Sequence, residues 1–508
     1  MQTDFEFSIN GDIHRGGGKP VEYSLLDYLL ENSMITGKDS PNGGIGVCSV
    51  LLVGRDSRQK PILRLARACE MTLPMVAGRE IWTAEGLEEG EQTHSLQEAL
   101  AMAGQFSCKC SSHRHSMDSG TIHGNNIKKG FGASLLPEEG SFFRTTGYMP
   151  LPSGLKSLLH EKQGSESVPN AGNGTRLLAD GGLVTEFAYR DPCGALFYRP
   201  VNLKAALRLL QAHPGAKIVA ADTIFPGSTH GELPCRDSRQ VVVSLESVIQ
   251  LREVGFEQGQ WQIGGAVTIS SLAEALGGRI PLIEHMVRRF SSLQARNRST
   301  VGAHLCLAAR DSELASVLLA LDAEVLISGL SGERKFMLRD FLEGAGSTAV
   351  RRGEILRSVL LECRALSASE QESNHHLSGF YKVARRNLNG RAIVCGAFAV
   401  EINDEGRVTR SRLCYGGVAA HAMRAHEAEE LLTGELWGTK LAHNVEVVLR
   451  ESFPTQTDYL ASADYRKAMV IELWRKFFAE NRKPGTCVPV HGGLDGYACL
   501  LESTRGSC

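Results

Sequence analysis

The sequence offers almost no net charge. Its 55 Lys and Arg stand against 57 Asp and Glu, for a formal charge of −2. That balance removes the electrostatic basis for a nucleic-acid or anionic-membrane partner. No apolar run approaches the roughly 20 residues that span a bilayer, so membrane insertion is not expected. The 13 cysteines are odd in number and scattered, which argues for reduced thiols rather than a disulfide framework. Only Cys108 and Cys110 lie close together. The opening MQTDFEFSINGD is acidic and alternating, neither a signal nor an Arg-rich transit peptide, and the expected location is the cytoplasm. What remains is an ordinary globular composition, 42% hydrophobic and 22% charged, in 508 residues. That is room for three or four domains.

Phe5 to Asn10 alternates as a strand, Ser24 to Met34 carries apolar residues at helical spacing, and Val47–Gly54 and Arg79–Leu87 read as further strands. Strand, helix, glycine loop and strand is the order of a small β-grasp domain. A helix capped by Ser95 follows, and residues 156–194 have linker composition. Leu203–Ala212 reads as an amphipathic helix, Pro214-Gly215 as a turn and Lys217–Ala221 as a buried strand. From Arg296 to Ser328, a polar loop (Ser299 to Ala303) leads into an Ala/Leu helical run and then the alternating strand LDAEVLIS. Small residues before a helix start suit a backbone that approaches a ligand phosphate. A plain structural turn accounts for the same pattern. The C-terminal part gives strand, hairpin loop (Asn403 to Gly406) and strand, a helix over residues 421–434, and a long amphipathic helix from Ser462 to Glu480.

In order and spacing, FYRPVNLKAALRLLQAHPGAKIVAADT, IGGAVTISSLAEAL, the Arg296–Ser328 stretch, GERKFMLRDF, YKVARR and AIVCGAFAVEI resemble one family. It is the FAD-binding and flavoprotein C-terminal domains of the xanthine dehydrogenase and carbon monoxide dehydrogenase family. The stretch LLDYLLENSMITGKDSPNGGIGVCSVLLVG, with RACEMTLPMVAGREIWTAEGL, resembles the plant-type ferredoxin domain of xanthine dehydrogenase small subunits. The implied fold class is α+β. Residues 1–88 would form a ferredoxin-like β-grasp domain and 89–155 a small helical second-cluster-like domain. After the 156–194 linker come a two-part FAD-binding (PCMH-type) domain at 195–375, the flavoprotein C-terminal domain at 376–480 and a 481–508 tail.

The resemblance implies FAD as the cofactor and assigns it two loops. The first, V-x-G-G/N-T in the family, is Val219, Ala221, Asp222 and Thr223 here, with Ala and Asp where the glycine-type residues belong. An Asp carboxylate ~4 Å from a phosphate charge opposes it by about 4 kcal/mol at an effective dielectric near 20. In the second loop Asn297, Thr300 and Gly302 match, Ala303 replaces a glycine, His304 replaces an asparagine, and Glu313 falls on the acidic position. Arg298 and Arg310 read as solvated helix or loop charges, with a compensating positive charge at the phosphate loop as the alternative for Arg310, and Cys306 reads as a small buried hydrophobe.

Iron–sulfur clusters are not expected. A [2Fe–2S] centre needs four thiolates. The first ligand set reads Ser40, Ile45, Cys48 and Cys69, and the second carries Phe143 and Thr145 at cysteine positions. Cys48 and Cys69 are remnants. Cys108, Cys110, His113 and His115 form a zinc-type ligand set, but their solvated flanks favour a surface loop. No catalytic residue is assigned. Three readings follow: a hydroxylase subunit paired with a molybdopterin-type large subunit, a non-catalytic assembly or structural subunit, and a standalone flavoprotein. The second accounts best for simultaneous loss at three cofactor sites.

Overall fold

The computed structural model describes residues 1–34, 48–55, 61–83, 85–87, 185–220, 240–362, 375–385 and 390–482. The expected helical domain at 89–155, Cys108 to His115, Ser40, Ile45, Ala221, Asp222 and Thr223 lie outside the described residues.

The front module begins with β1 (Glu6–Ile9) and β2 (Asp12–Arg15). Asn10 and Gly11 join them, both at positive φ, as a two-residue hairpin turn of matching twist requires. Helix α1 (Leu25–Glu31) starts at Ser24, whose hydroxyl accepts the Asp27 amide hydrogen, and it buries Leu25, Leu26, Tyr28 and Leu29. Strands β3 (Ser49–Arg55), β4 (Pro61–Arg67) and β5 (Glu80–Trp82) complete a five-stranded sheet of order β2-β1-β5-β3-β4. β1 and β5 run parallel, so this is the expected β-grasp arrangement.

A second sheet has the order β6-β7-β9-β8. It is built from β6 (Phe187–Arg190), β7 (Leu196–Arg199), β8 (Lys217–Val219) and β9 (Val241–Ser244). Helix α2 (Leu203–Ala212), capped by Asn202, lies where the spacing places it. Phe187, Tyr189, Phe197, Val219 and Val242 share one apolar core with Phe5, Phe7 and Leu73 of the front module. Cys193, in the β6–β7 turn, is disulfide-bonded. This corrects the expectation of reduced thiols throughout, because scattered spacing does not by itself exclude a pair. Cys48, Cys69, Cys306, Cys395 and Cys414 are unpaired thiols.

The third sheet is antiparallel, of order β10-β11-β16-β12-β13. Its strands are β10 (Val254–Glu257), β11 (Gln260–Gly264), β12 (Glu324–Gly329), β13 (Gly332–Met337) and β16 (Ile355–Glu362). The small hairpin β14 (Leu342–Gly344) and β15 (Ser347–Thr348) stands apart. Helices α3 (Ile269–Leu276), α4 (Pro281–Val287), α5 (Leu293–Arg298), α6 (Val301–Cys306), α7 (Glu313–Ala320) and α8 (Leu338–Phe341) belong to this lobe. The C-terminal module is a meander of β17 (His375–Ala384), β18 (Ala392–Ile402), β19 (Val408–Gly416) and β20 (Met423–Arg424). Helices α9 (His426–Leu432), α10 (Thr439–Leu449) and α11 (Ala463–Glu480) bury Leu432, Val445, Trp474 and Phe477 in the core they share with that sheet.

The last two modules share an apolar core, in which Phe380, Cys395 and Cys414 pack with Leu314 and Val317, and charge adds to it. Asp322, at positive φ just after α7, receives Arg412 at 2.8 Å, Arg424 at 3.2 Å and Arg410. Burial alone would raise its pKa, but the hydrogen bonds from Arg412 and Arg410 hold it below the ordinary carboxylate value. Such a group contributes stability above its unfolded pKa that is lost as pH falls through its folded pKa. Asp322→Asn is expected to cost about 2–4 kcal/mol in urea unfolding at neutral pH. The difference from wild type should shrink as the pH is lowered below 4.

Candidate functional site

Residues 292–320 form three short capped helices in succession. Ser292 accepts the Ala295 amide hydrogen, Thr300 that of Ala303 at 3.3 Å, and Ser312 that of Ala315. Each cap satisfies one of the unpaired donors of a helix start. The expected polar loop is therefore shorter than its sequence suggests, with only Ser299 and Thr300 separating α5 from α6.

Those two residues lie extended against the segment that follows β11. The Ile269 amide donates to the Ser299 carbonyl and the Val301 amide to the Val267 carbonyl, each at 2.9 Å, and the Gly302 amide donates to the Gly265 carbonyl at 2.8 Å. A side chain on Gly302 would place its Cβ 2.6 Å from the Gly265 oxygen. Gly302 is thus a glycine because protein backbone approaches it. The His304 amide reaches the Thr300 carbonyl at 3.1 Å. The amides of Val301, Gly302 and Ala303, which a glycine loop would turn toward a phosphate, are all bonded internally. This half of the cradle does not fit a pyrophosphate held by backbone N–H groups.

The side chains assigned to the site are similarly committed. Asn297 is buried, donates to the Leu65 carbonyl of β4 at 2.9 Å and accepts from the Ser270 hydroxyl at 2.7 Å. It docks the front module onto the third-sheet lobe, assisted by an Arg64–Glu274 ion pair at 2.6 Å. His304 meets the edge of Phe290 at a ring separation of 5.0 Å. Val219 is buried at the end of β8, and its carbonyl accepts the Leu245 amide hydrogen at 2.7 Å.

Three sequence expectations need correction. Arg298 is buried and ion-paired to Glu246 at 2.7 Å, because α5 turns it inward. Arg310 is half-buried on Asp458 at 3.3 Å, and so binds the C-terminal module rather than solvent. Cys306 is exposed at the end of α6, while Leu305 beside it takes the core position.

Glu313 opens α7 and pairs with Lys382 of β17 at 2.7 Å, both side chains buried. Its second carboxylate oxygen has no hydrogen-bond partner. Burial pushes its pKa up to about 7, against the pull of Lys382. Lys382, Arg79, Arg199 and Glu246 escaped the sequence reading, since each meets its partner across a long sequence separation. YKV was visible as a motif, but its lysine carried no role.

Cys48 and Cys69 come together, with sulfurs 3.2 Å apart. The hydrogen bond between the thiols lowers the ionisation of Cys48 to about 7 and raises that of Cys69. Among the described residues no group of three or more His, Cys, Asp or Glu is placed to hold a metal.

Two predictions follow from these contacts. A carboxyl whose folded pKa lies above its unfolded value stabilises most at low pH, and that contribution is lost as pH rises through the folded pKa. Wild type should therefore lose on the order of 3 kcal/mol relative to Glu313→Gln between pH 4.5 and about 7; parallel stability curves would exclude it. Mild oxidation of the full chain should join Cys48 to Cys69, since the sulfurs need only close to the ~2.04 Å of a disulfide bond. Non-reducing peptide mapping reads the outcome, and two thiols that still alkylate separately would contradict it.

Two family models match the chain: the FAD binding domain in molybdopterin dehydrogenase over residues 187–361, and the CO dehydrogenase flavoprotein C-terminal domain over residues 379–481. The xanthine dehydrogenase of Emericella nidulans is 24% identical over 90% of this chain and 37% of its own length. The nicotinate dehydrogenase FAD-subunit of Eubacterium barkeri is 23% identical over 56% of this chain and 95% of its own. The glyceraldehyde dehydrogenase medium chain of Sulfolobus acidocaldarius is 26% identical over 56% of this chain and 97% of its own. The chain spans 37–38% of the length of the first four xanthine dehydrogenases it matches. A crystal structure of Cu,Mo-CO dehydrogenase overlaps 55% of this chain and 94% of its own at 20% identity and a TM-score of 0.49. The two matches identify residues 187–361 and 379–481 of this chain as the FAD-binding and flavoprotein C-terminal domains of the xanthine dehydrogenase and carbon monoxide dehydrogenase type.

Proposed function

We propose that this chain is a cytoplasmic, non-catalytic assembly subunit that keeps the flavoprotein fold and pairs with a molybdopterin-type large subunit. The observation that supports it most directly is the internal bonding of the α6 amides. Val301 and Gly302 donate to Val267 and Gly265, and Ala303 to the Thr300 hydroxyl. Asn297 and Glu313 act in the same sense, each spent on a contact between modules. Drift under selection for the fold alone leaves cores intact while ligand positions change. The relatives from Eubacterium barkeri and Sulfolobus acidocaldarius carry the names FAD-subunit and medium chain, which supports membership of a multi-chain assembly. No helix among the described residues is long and apolar enough to cross a membrane.

A second reading is an electron-transfer flavoprotein that keeps FAD, alone or with such a large subunit. The match of residues 187–361 to an FAD-binding domain favours it.

An absorption spectrum of the purified full chain, with iron and acid-labile sulfide assayed on the same sample, separates them. The assembly reading expects a folded, colourless protein that co-purifies with a partner chain. Flavin bands without iron would replace it with the second reading. Flavin with stoichiometric iron would overturn the loss of the clusters.

A further inference from the structure

Where the front module, the second sheet and α5 meet, three guanidinium groups are buried together. Arg79 precedes β5, Arg199 ends β7 and Arg298 ends α5, and their residues are 6%, 2% and 4% exposed. The only carboxylate paired with them among the described residues is Glu246. Arg79 Nη2 and Arg298 Nη1 both lie 2.7 Å from the same oxygen, Oε1. Arg79 and Arg199 are also anchored to backbone. The Arg79 Nε donates to the Met75 carbonyl, and the two Nη groups of Arg199 donate to the Met75 and Ala77 carbonyls.

These anchors leave the cluster unbalanced. Three cations and one anion give two excess positive charges in a buried setting. Burying unpaired charge costs several kcal/mol per ion, so native proteins pair or ligate such groups. Several donors are also unused. Arg298 Nε and Nη2 and Arg199 Nε have no hydrogen-bond partner, and neither does the second oxygen of Glu246. Buried polar atoms left without a partner are rare in native structures, and each needs an explanation. The titration behaviour agrees with crowded positive charge. Burial and the nearby Arg79 push Arg199 down to about 10. Burial would raise Glu246, but Arg298, Arg79 and Arg252 hold it at about 2.

The cluster adjoins both loops that the sequence singles out. Glu246 lies two residues after Ser244, which pairs with Val219 at the end of β8. Arg298 lies two residues before Thr300, the cap of α6. Planar guanidinium donors match the oxygens of a phosphate and bind it through charge-assisted hydrogen bonds. A phosphate dianion also matches the excess charge.

We infer that Arg79, Arg199 and Arg298 form a buried phosphate-binding site at this junction, with Glu246 holding the guanidiniums together. The ligand class is a phosphate group, either free or carried by a nucleotide. This inference is independent of the assembly reading, because it rests on side-chain cations and not on the α6 amides.

The test is calorimetric titration of the full chain with inorganic phosphate, pyrophosphate and FAD separately, against sodium chloride at matched ionic strength. One saturable site for at least one phosphate probe is expected. Glu246→Gln keeps an amide oxygen that can still accept from Arg79 and Arg298 at the Oε1 position and should tighten binding by about tenfold, because removing the carboxylate charge beside the anion is worth at least ~1.4 kcal/mol at short range. Arg298→Gln should weaken it by at least about tenfold. If Arg298→Gln fails to fold, wild type and Glu246→Gln decide. Inorganic phosphate that FAD displaces identifies a nucleotide phosphate as the ligand, and phosphate that FAD leaves in place identifies a free anion. Both support the site. No saturable binding by wild type, or unchanged or weaker binding by Glu246→Gln, would overturn it. The absorption spectrum of the protein as purified tests the assembly reading separately.

Discussion

The contact between Gly302 and Gly265 is the constraint on which the rest of the junction depends. Two backbones meet there with no room for a Cβ on either residue: one on Gly302 would fall 2.6 Å from the Gly265 oxygen, and one on Gly265 would fall 2.3 Å from the Leu356 oxygen. This stacks the start of α6 on the end of β11 and on β16. Because α5 and α7 are short helices on either side, the same contact fixes the direction of Asn297, Arg298 and Glu313. A glycine pattern that elsewhere opens a backbone toward phosphate here closes it onto protein.

From that point the modules are joined by polar contacts over shared apolar cores. Asn297 reaches the front sheet, Arg298 reaches Glu246, and Glu313 reaches Lys382. Further out, Arg391 clamps Asp311, and Asp322 collects Arg410, Arg412 and Arg424. Arg466, almost wholly buried on α11, donates to the Gly417 and Ile393 carbonyls and to Asp458. The buried contacts are costly to break singly, since removing one partner strands the other. They therefore fix the relative placement of the modules more sharply than their net energies suggest.

Much of this fold was legible in the sequence. The apolar spacing of Leu203–Ala212 and the run to Glu480 marked their helices, which Asn202 and Ser462 cap in the structure. Asn403 to Gly406 marked its hairpin, where Gly406 takes positive φ. Strands β2, β4 and β6 were missed, β6 (Phe187–Arg190) falling inside the segment expected to be linker. β2 is largely exposed and carries no apolar alternation, and β4 gains its identity from pairing with β3 along its whole length. The candidate site was less legible. Motif matching located Asn297, Thr300, Gly302 and Glu313, yet their partners Leu65, Gly265 and Lys382 lie far away in sequence or on another module. Arg298 read as a surface charge because the turn of α5 that buries it depends on packing, and its counter-ion lies 52 positions upstream.

Hydrogen exchange of the Val301, Gly302 and Ala303 amides, followed with and without added FAD, tests the closed loop most directly. Slow exchange in the flavin-free protein, unchanged by FAD, is the predicted result. Fast exchange that becomes protected when FAD is added would contradict it, and would return these amides to the cofactor.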